Sequence, residues 1–215
     1  MDPSRIAELL RPFTGEAELP ASLLEQLRTY LDLLLHWNAR INLSTVRDPE
    51  QIVARHFGES LFAASLLKLH HLDPATLADI GSGAGFPGIP IKLSAPHIEL
   101  TLIESQNKKA TFLREVLRTL KLDRAQVFCG RAEHWGQSAD LVTLRAVEQF
   151  ERALPVAANL VAPGGRLCLL LGAKKLQAAR QLTGNAWTWA EPVAVPGSMA
   201  RVVAAGERTN VIARS

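Results

Sequence analysis

The chain has 215 residues, of which 47% are hydrophobic and 21% are charged. These values are ordinary for a soluble globular protein and exclude a disordered or coiled-coil chain. Its 24 Lys and Arg residues against 21 Asp and Glu give a net charge of +3, so a polyanionic partner would have to be held by local clusters of basic residues. We find no signal sequence and no long apolar run, and both cysteines, Cys129 and Cys168, lie inside apolar runs. We therefore predict a soluble, cytoplasmic protein without disulfides or membrane contact.

The N-terminal third has a helical pattern. Ser22 and Glu25 have the spacing of a capping box, which predicts that a helix begins there. Apolar residues then recur every three to four positions, and a second helical stretch is predicted over residues 48–69. We expect residues 1–72 to form a small helical extension and residues 73–215 to form the main domain.

The remaining chain alternates between predicted strands and helices. Strands are predicted near residues 77–80, 99–104, 126–129, 141–144 and 166–171, with helices over residues 107–120, 148–160 and 174–182 and a short helix ending near Ser94. Two further strands are predicted near Trp187–Val195 and Arg208–Arg214. This alternation indicates an α/β fold with a parallel, doubly wound sheet.

A glycine-rich loop over residues 81–88 joins the first of these strands to a helix. Glycine lets the backbone approach a ligand closely, and the start of a helix offers free amide donors. Glu104 ends the second strand, and ligands of such sheets bind at the carboxyl ends of the strands. A carboxylate at that position can accept hydrogen bonds from both hydroxyls of an adenosine ribose.

Two cofactors fit this loop. Residues 83–88 match G-x-G-x-x-G, and Glu104 follows Gly83 by 21 residues, as in nicotinamide dinucleotide sites. However, Gly81 directly follows the strand, and the pattern D-x-G-x-G-x-G read from Asp79 is typical of S-adenosylmethionine methyltransferases. A dehydrogenase would also need a substrate domain, for which only about 70 helical residues are available. We favour the methyltransferase over a reductase, and over a loop that merely turns the chain.

The strand that ends at Arg145 helps to identify the methyl acceptor. It lacks the Asn/Asp-Pro-Pro-Tyr motif common in amine methylation, and neither cysteine has the basic surroundings that pyrimidine C5 methylation requires. Guanine N7 has a free lone pair and needs only placement, which agrees with the absence of an acid–base constellation. Arg145 would bond the cofactor carboxylate or guanine O6, or else cap the carbonyls of a neighbouring helix.

Basic residues gather on and after the helix predicted over residues 107–120. They are Lys108, Lys109, Arg114, Arg118, Lys121, Arg124 and Arg131. This set fits an RNA backbone footprint, and a solvated helix face fits it equally well. His56 is expected to be packed rather than functional. His70 and His71 lack partners at metal-ligand spacing, so no metal site is predicted.

Several motifs point to one family. They are LHWNARINLS at residues 35–44, RHFGESL at 55–61, DIGSGAGFPGIP at 79–90, LIES at 102–105, Lys108-Lys109, Phe112-Leu113, Arg131-Ala132-Glu133 and Arg145-Ala146. Together they resemble the bacterial RsmG (GidB) family of small-subunit rRNA guanine-N7 methyltransferases. The resemblance implies a Rossmann-like methyltransferase fold, with a mostly parallel sheet, an antiparallel last strand and a preceding helical segment.

The resemblance also implies S-adenosylmethionine as cofactor and a guanine of 16S rRNA, free or in the small ribosomal subunit, as substrate. The residues it assigns to the cofactor are Gly81, Phe86, Ala132 and Glu133. They join Gly83, Gly85, Glu104 and Arg145, which the loop pattern and the strand ends already place at the cofactor. Arg145 would lie in the active cleft, and Arg131 is a second candidate for holding cofactor or RNA. Many relatives have Asp where this chain has Glu104, which can play the same role with a longer reach.

Two rival functions use the same fold. One is a small-molecule methyltransferase, whose activity would not depend on RNA. The other is an RNA-binding assembly factor that keeps the cofactor without turnover, against which the intact Gly81, Glu104 and Arg145 argue. Nothing in the sequence requires a dimer, so we expect a monomer.

Overall fold

The computed structural model describes residues 1–16, 18–68, 75–147 and 149–209. The N-terminal region is helical, as predicted, and consists of α1 (Pro3–Thr14), α2 (Ala21–Asn38), α3 (Pro49–Ile52), a π-helical turn (Val53–Gly58) and α4 (Glu59–Leu66). Asp2 caps α1 by accepting a hydrogen bond from the Ser4 N–H at 2.8 Å. The turn of π-helix overlaps the motif at residues 55–61 that carries part of the family resemblance. Such turns often mark functional positions.

The capping box predicted at Ser22 and Glu25 is wrong. Helix α2 begins at Ala21 after Pro20, and no side chain caps it. Ser22 therefore lies inside the first turn, and Glu25 forms an ion pair with Arg28 at 2.9 Å instead.

In the described residues, eight strands form one sheet. They are β1 (Thr76–Ile80), β2 (Glu99–Glu104), β3 (Ala125–Cys129), β4 (Ala139–Arg145), β5 (Val161–Gly172), β6 (Trp187–Trp189), β7 (Val193–Ala194) and β8 (Arg201–Arg208). The order is β3-β2-β1-β4-β5-β8-β6, with β7 also pairing with β8. The first five strands are parallel, and β8 is antiparallel to β5. This confirms the predicted α/β fold and its antiparallel last strand.

The strand predicted near Arg208–Arg214 meets β8, which spans Arg201–Arg208, only at Arg208. Residues 210–215 lie outside the described residues, and the sequence did not predict the rest of β8. Ala204, Ala205 and Gly206 give β8 a weak local strand signal, and its position is set by pairing with β5. Gly206 also makes room for a neighbouring ring, since a Cβ there would lie 2.9 Å from Cδ2 of Trp189.

Helices cover both faces of the sheet. Helices α5 (Gly88–Ser94), α6 (Asn107–Thr119), α7 (Phe150–Leu160) and α8 (Leu176–Thr183) connect the strands. Because successive strand residues point to opposite faces, Leu77 packs in the cluster that contains Leu27 of α2, whereas Ala78 packs in the cluster that contains Leu154 of α7. The N-terminal helices thus share a core with the sheet. The predicted boundary at residue 72 lies outside the described residues.

The basic face predicted on α6 is exposed. Phe112, Leu113 and Val116 are buried against the sheet, while Arg114 and Arg118 face solvent. In the described part of the chain no helix is long and apolar enough to cross a membrane.

Candidate active site

Three left-handed glycines shape the loop after β1. Gly81, Gly83 and Gly85 have φ values of +64°, +56° and +92°, a region that side chains rarely adopt. A Cβ on Gly85 would lie 2.4 Å from Cδ1 of Ile89 and 2.6 Å from the hydroxyl of Tyr30. That hydroxyl donates a hydrogen bond to the Ala84 carbonyl, so α2 holds the loop from outside.

Buried Asp79 anchors the end of the same loop. Its Oδ1 accepts a hydrogen bond from Thr143 at 2.7 Å, and its Oδ2 accepts one from the Gly88 N–H at 3.2 Å. Burial raises the pKa of Asp79 to about 6, although these hydrogen bonds favour the charged form. Asp79 therefore ties the start of α5 to β1.

Glu104 joins the loop to β2. Its Oε2 accepts a hydrogen bond from the Gly83 N–H at 2.9 Å, and its Oε1 accepts one from the Gln106 N–H at 2.8 Å. These bonds orient the carboxylate at the carboxyl end of the strand. Each oxygen keeps a second lone pair, which is what two ribose hydroxyls would need.

A cavity of ≈ 190 Å³ opens beside this loop, at the carboxyl ends of the strands. We call it the cofactor cleft. It is lined by Gly81, Arg131, Ala132, Glu133 and Val147, among others. Residues that the sequence placed around the cofactor, from two separate segments, therefore meet at one cavity.

The side chain of Phe86 lies outside the cofactor cleft. It is 7% exposed and packs with Tyr30, Phe57 and His56, whose ring centroids lie 5.4, 5.6 and 4.8 Å away. The guanidinium carbon of Arg145 lies 5.8 Å from the Phe86 ring centroid, which is within reach of a cation–π interaction. Phe86 therefore supports Arg145.

Arg145 connects β4 to the π-helical turn. Its Nη2 donates to the Arg55 carbonyl at 2.8 Å and to Nδ1 of His56 at 2.9 Å, and lies 3.2 Å from Oε2 of Glu59. The sequence left two positions open for Arg145, in the active cleft or against the carbonyls of a neighbouring helix. The bond to the Arg55 carbonyl is the second kind of contact. The next residue, Ala146, has φ +48°, a strained conformation of the kind that clusters at functional sites.

Arg145 also lines a second cavity, of ≈ 170 Å³, at the ends of β4 and β5. We call it the substrate cavity. Its charged residues are Arg55, Glu59, Arg145, Lys175 and Arg201, and Phe150 forms part of its wall. Val147 lines both this cavity and the cofactor cleft, so the two adjoin.

His56 is packed, as predicted, but it contacts the site. Since a guanidinium can only donate, Nδ1 accepts from Arg145 and Nε2 must donate to Oγ of Ser44, 2.8 Å away. Burial and the nearby Arg145, Arg55 and Arg201 lower the pKa of His56 to about 3. The imidazole is therefore neutral and fixes the position of Arg145.

This lowered pKa predicts acid sensitivity. A histidine whose pKa is lower in the folded state stabilises the fold fully above pH 6.5 and loses that contribution as the pH falls toward 3. Asp79 acts in the opposite sense, because its pKa rises on folding from 3.8 to about 6. We expect His56→Gln to lose less thermal stability than the wild type between pH 7 and pH 4.

Thermal unfolding at a series of pH values measures this effect. His36→Gln is the matched control because His36 is exposed on α2. If the two variants show the same pH dependence, His56 does not carry the acid sensitivity.

Neither cysteine lines the cofactor cleft or the substrate cavity. Cys168 is fully buried, and burial raises the pKa of its thiol to about 12. The Sγ of Cys129 donates to Oδ1 of Asn107 at 3.0 Å. Within the described ranges, no group of three His, Cys, Asp or Glu residues is arranged to hold a metal ion.

Glu59 is the site residue that the sequence did not single out. It is 3% exposed, and burial raises its pKa, whereas Arg145 and Arg201 oppose that rise. A carboxylate between Gly58 and Ser60 on an otherwise apolar helix was the available signal. Its partners, at positions 145 and 201, come together only in the folded chain.

Comparison with solved structures identifies the fold. The N-methyltransferase NodS from Bradyrhizobium japonicum WM9 matches with a TM-score of 0.53 at 19% sequence identity, covering 68% of this chain and 94% of that one. This match and the sheet order show a Rossmann-like fold, which the chain shares with that methyltransferase.

The family follows from the sequence comparisons. The model described as rRNA small subunit methyltransferase G matches residues 23–201. The ribosomal RNA small subunit methyltransferase G of Xanthomonas euvesicatoria pv. vesicatoria is 38% identical over 200 residues, covering 91% of this chain and 89% of that protein. That of Stenotrophomonas maltophilia (strain K279a) is 35% identical over 199 residues, covering 91% of each. The chain belongs to the rRNA small subunit methyltransferase G family, as the sequence motifs predicted.

Proposed function

We propose that this protein transfers a methyl group from S-adenosylmethionine to N7 of a guanine in 16S rRNA, free or within the small ribosomal subunit, and acts as a cytoplasmic monomer. The observation that carries the proposal is the pair of adjoining cavities. One is bordered by the glycine loop and the other is lined by Arg145, and they meet at Val147.

The cofactor cleft fits S-adenosylmethionine. The turn at Gly81 opens onto the cleft, and Glu104 has lone pairs left for the ribose. Ala132 and Glu133 would flank the adenine, with Gly83, Gly85 and Phe86 shaping the loop. When bound, S-adenosylmethionine supplies a methyl group on a positively charged sulfur.

The residues around the substrate cavity suit a nucleophile that needs no deprotonation. His56 is neutral and already hydrogen-bonded on both nitrogens, and Cys168 is buried. Guanine N7 needs only to be placed, and placement alone supplies several kcal/mol. Arg145 is the residue that would hold the base, and exposed Arg131 is a second candidate, for the cofactor or the RNA.

The first experiment determines the product. Radiolabelled S-adenosylmethionine is incubated with the protein and unmodified 16S rRNA or small subunits, and the RNA is then cleaved at N7-methylguanine with borohydride and aniline. We expect a single new cleavage. Cofactor binding without labelled RNA would favour the small-molecule methyltransferase, whose activity would also lack the steep salt dependence of RNA binding.

If Glu104 binds the ribose, replacing it should weaken the binding of S-adenosylmethionine. At 100 times its Kd, S-adenosylmethionine should stabilise the fold by about 2.7 kcal/mol, a rise in Tm of about 5–10 °C. Glu104→Ala should lose most of this rise because the ribose loses its acceptor. Thermal unfolding with and without ligand measures it.

Glu99→Ala is the matched control, since Glu99 is exposed at the other end of β2. NADH should leave the Tm of the wild type unchanged. A full S-adenosylmethionine shift in Glu104→Ala would remove Glu104 from the cofactor site.

A further inference from the structure

One carboxylate oxygen in the substrate cavity lacks a hydrogen-bond partner among the described residues. Glu59 lies between Arg145, whose Nη2 is 3.2 Å from its Oε2, and Arg201, whose Nη2 is 3.1 Å from its Oε1. The second contact does not have hydrogen-bond geometry, and among the described residues Oε1 of Glu59 is buried without a hydrogen bond. A buried charged oxygen in this state is costly unless a ligand supplies the donor.

The pair of Arg145 and Glu59 presents a donor beside an acceptor. The hydrogen bonds described for Arg145 all come from Nη2, which carries two of the five N–H donors of a guanidinium. Oε1 of Glu59 is the adjacent acceptor, and both side chains line the same cavity. The Phe86 ring and the Arg55 carbonyl hold the arginine in place.

The Watson–Crick edge of guanine has the complementary arrangement, an acceptor beside donors. Its O6 accepts a hydrogen bond, and the adjoining N1–H and the 2-amino group donate. Adenine has the reverse order, with an amino donor next to an unprotonated N1. Enzymes that modify bases commonly read a flipped base along this edge.

We infer that Glu59 selects guanine by accepting hydrogen bonds from N1–H and the 2-amino group, while Arg145 donates to O6. This assignment rests on the proposed function. The contacts use the edge remote from the sugar, so N7 is left clear for the methyl group. Adenine would place its donor against Arg145 and its lone pair against Glu59, which disfavours it.

Inosine tests the inference because it keeps N7, O6 and N1–H but lacks the 2-amino group. The target guanine is first mapped, and 16S rRNA carrying inosine at that position is prepared by ligation. For the wild type we expect kcat/KM to be about tenfold to a hundredfold lower on inosine, since a charged hydrogen bond is lost. Equal use of both RNAs by the wild type would overturn the inference.

The variant Glu59→Gln tests whether Glu59 is responsible for the preference for guanine over inosine. Its activity on guanine should fall more than its activity on inosine, so that the guanine-to-inosine ratio drops below about threefold. If Glu59 only positioned Arg145, both activities would fall together and the ratio would stay at the wild-type value. Glu50→Gln, which makes the same change at an exposed residue paired with Arg5, should keep the wild-type ratio.

The outcomes separate the inference from the proposed function. If the wild type methylates no guanine at N7, the proposed function fails. If it methylates guanine but the ratio is unaffected by Glu59→Gln, only the inference fails. Should Glu59→Gln not fold, Glu59→Asp takes its place, where the shorter side chain is expected to reduce the ratio and an unchanged ratio counts against the inference.

Discussion

Replacing Arg145 by alanine is expected to lower methyl transfer to RNA by about a hundredfold or more, the effect that misplacing a reacting group has. The variant should also lose about 3–5 kcal/mol of unfolding free energy, because the buried Glu59 loses its hydrogen-bonded partner. Single-turnover methylation and chemical denaturation measure the two effects on the same preparation.

A second substitution separates the two effects. In Arg145→Ala combined with Glu59→Gln, the uncompensated charge is gone, so part of the stability should return while activity stays low. Arg152→Ala is a control on α7, where the exposed Arg152 bonds Gln149 at 3.2 Å, and it should leave both quantities near the wild type. Wild-type activity in Arg145→Ala would exclude this residue from the reaction.

The sequence predicted those parts of the fold that local patterns encode. Strands β1 and β2 were placed within a residue of their observed bounds, because apolar runs ended by Asp79-Ile80-Gly81 or by Glu104 mark buried strands clearly. Strand β8 was missed over most of its length because its Ala-Ala-Gly stretch gives only a weak strand signal. Its pairing with β5 decides its position.

The same limit applies to the candidate site. The lining of the cofactor cleft includes Gly81 of the glycine motif and the Arg131-Ala132-Glu133 motif, both local features of the chain. The substrate cavity depends on contacts between positions 56, 59, 145 and 201, which are distant in sequence. Composition and spacing therefore indicated Arg145 but not Glu59, and they identified His56 as packed without showing that it holds Arg145.

Gly85→Ala is expected to destabilise the protein by about 2–5 kcal/mol, through left-handed strain and overpacking together. At φ +92° an alanine is strained, and its Cβ would also press on Ile89 and on the Tyr30 hydroxyl, which is already bonded to Ala84. For a chain of this length the Tm should fall by about 5–20 °C.

Gly136→Ala separates strain from crowding. Gly136 has φ +70° with no atom within 4 Å of an added Cβ, so this variant should lose only about 1–2 kcal/mol. Adding Ile89→Val to Gly85→Ala removes the nearest clashing methyl and should recover part of the difference, a coupling that independent sites would not show. If Gly85→Ala is no less stable than Gly136→Ala but loses the S-adenosylmethionine shift, the loop needs this glycine for the ligand rather than for its packing against α2.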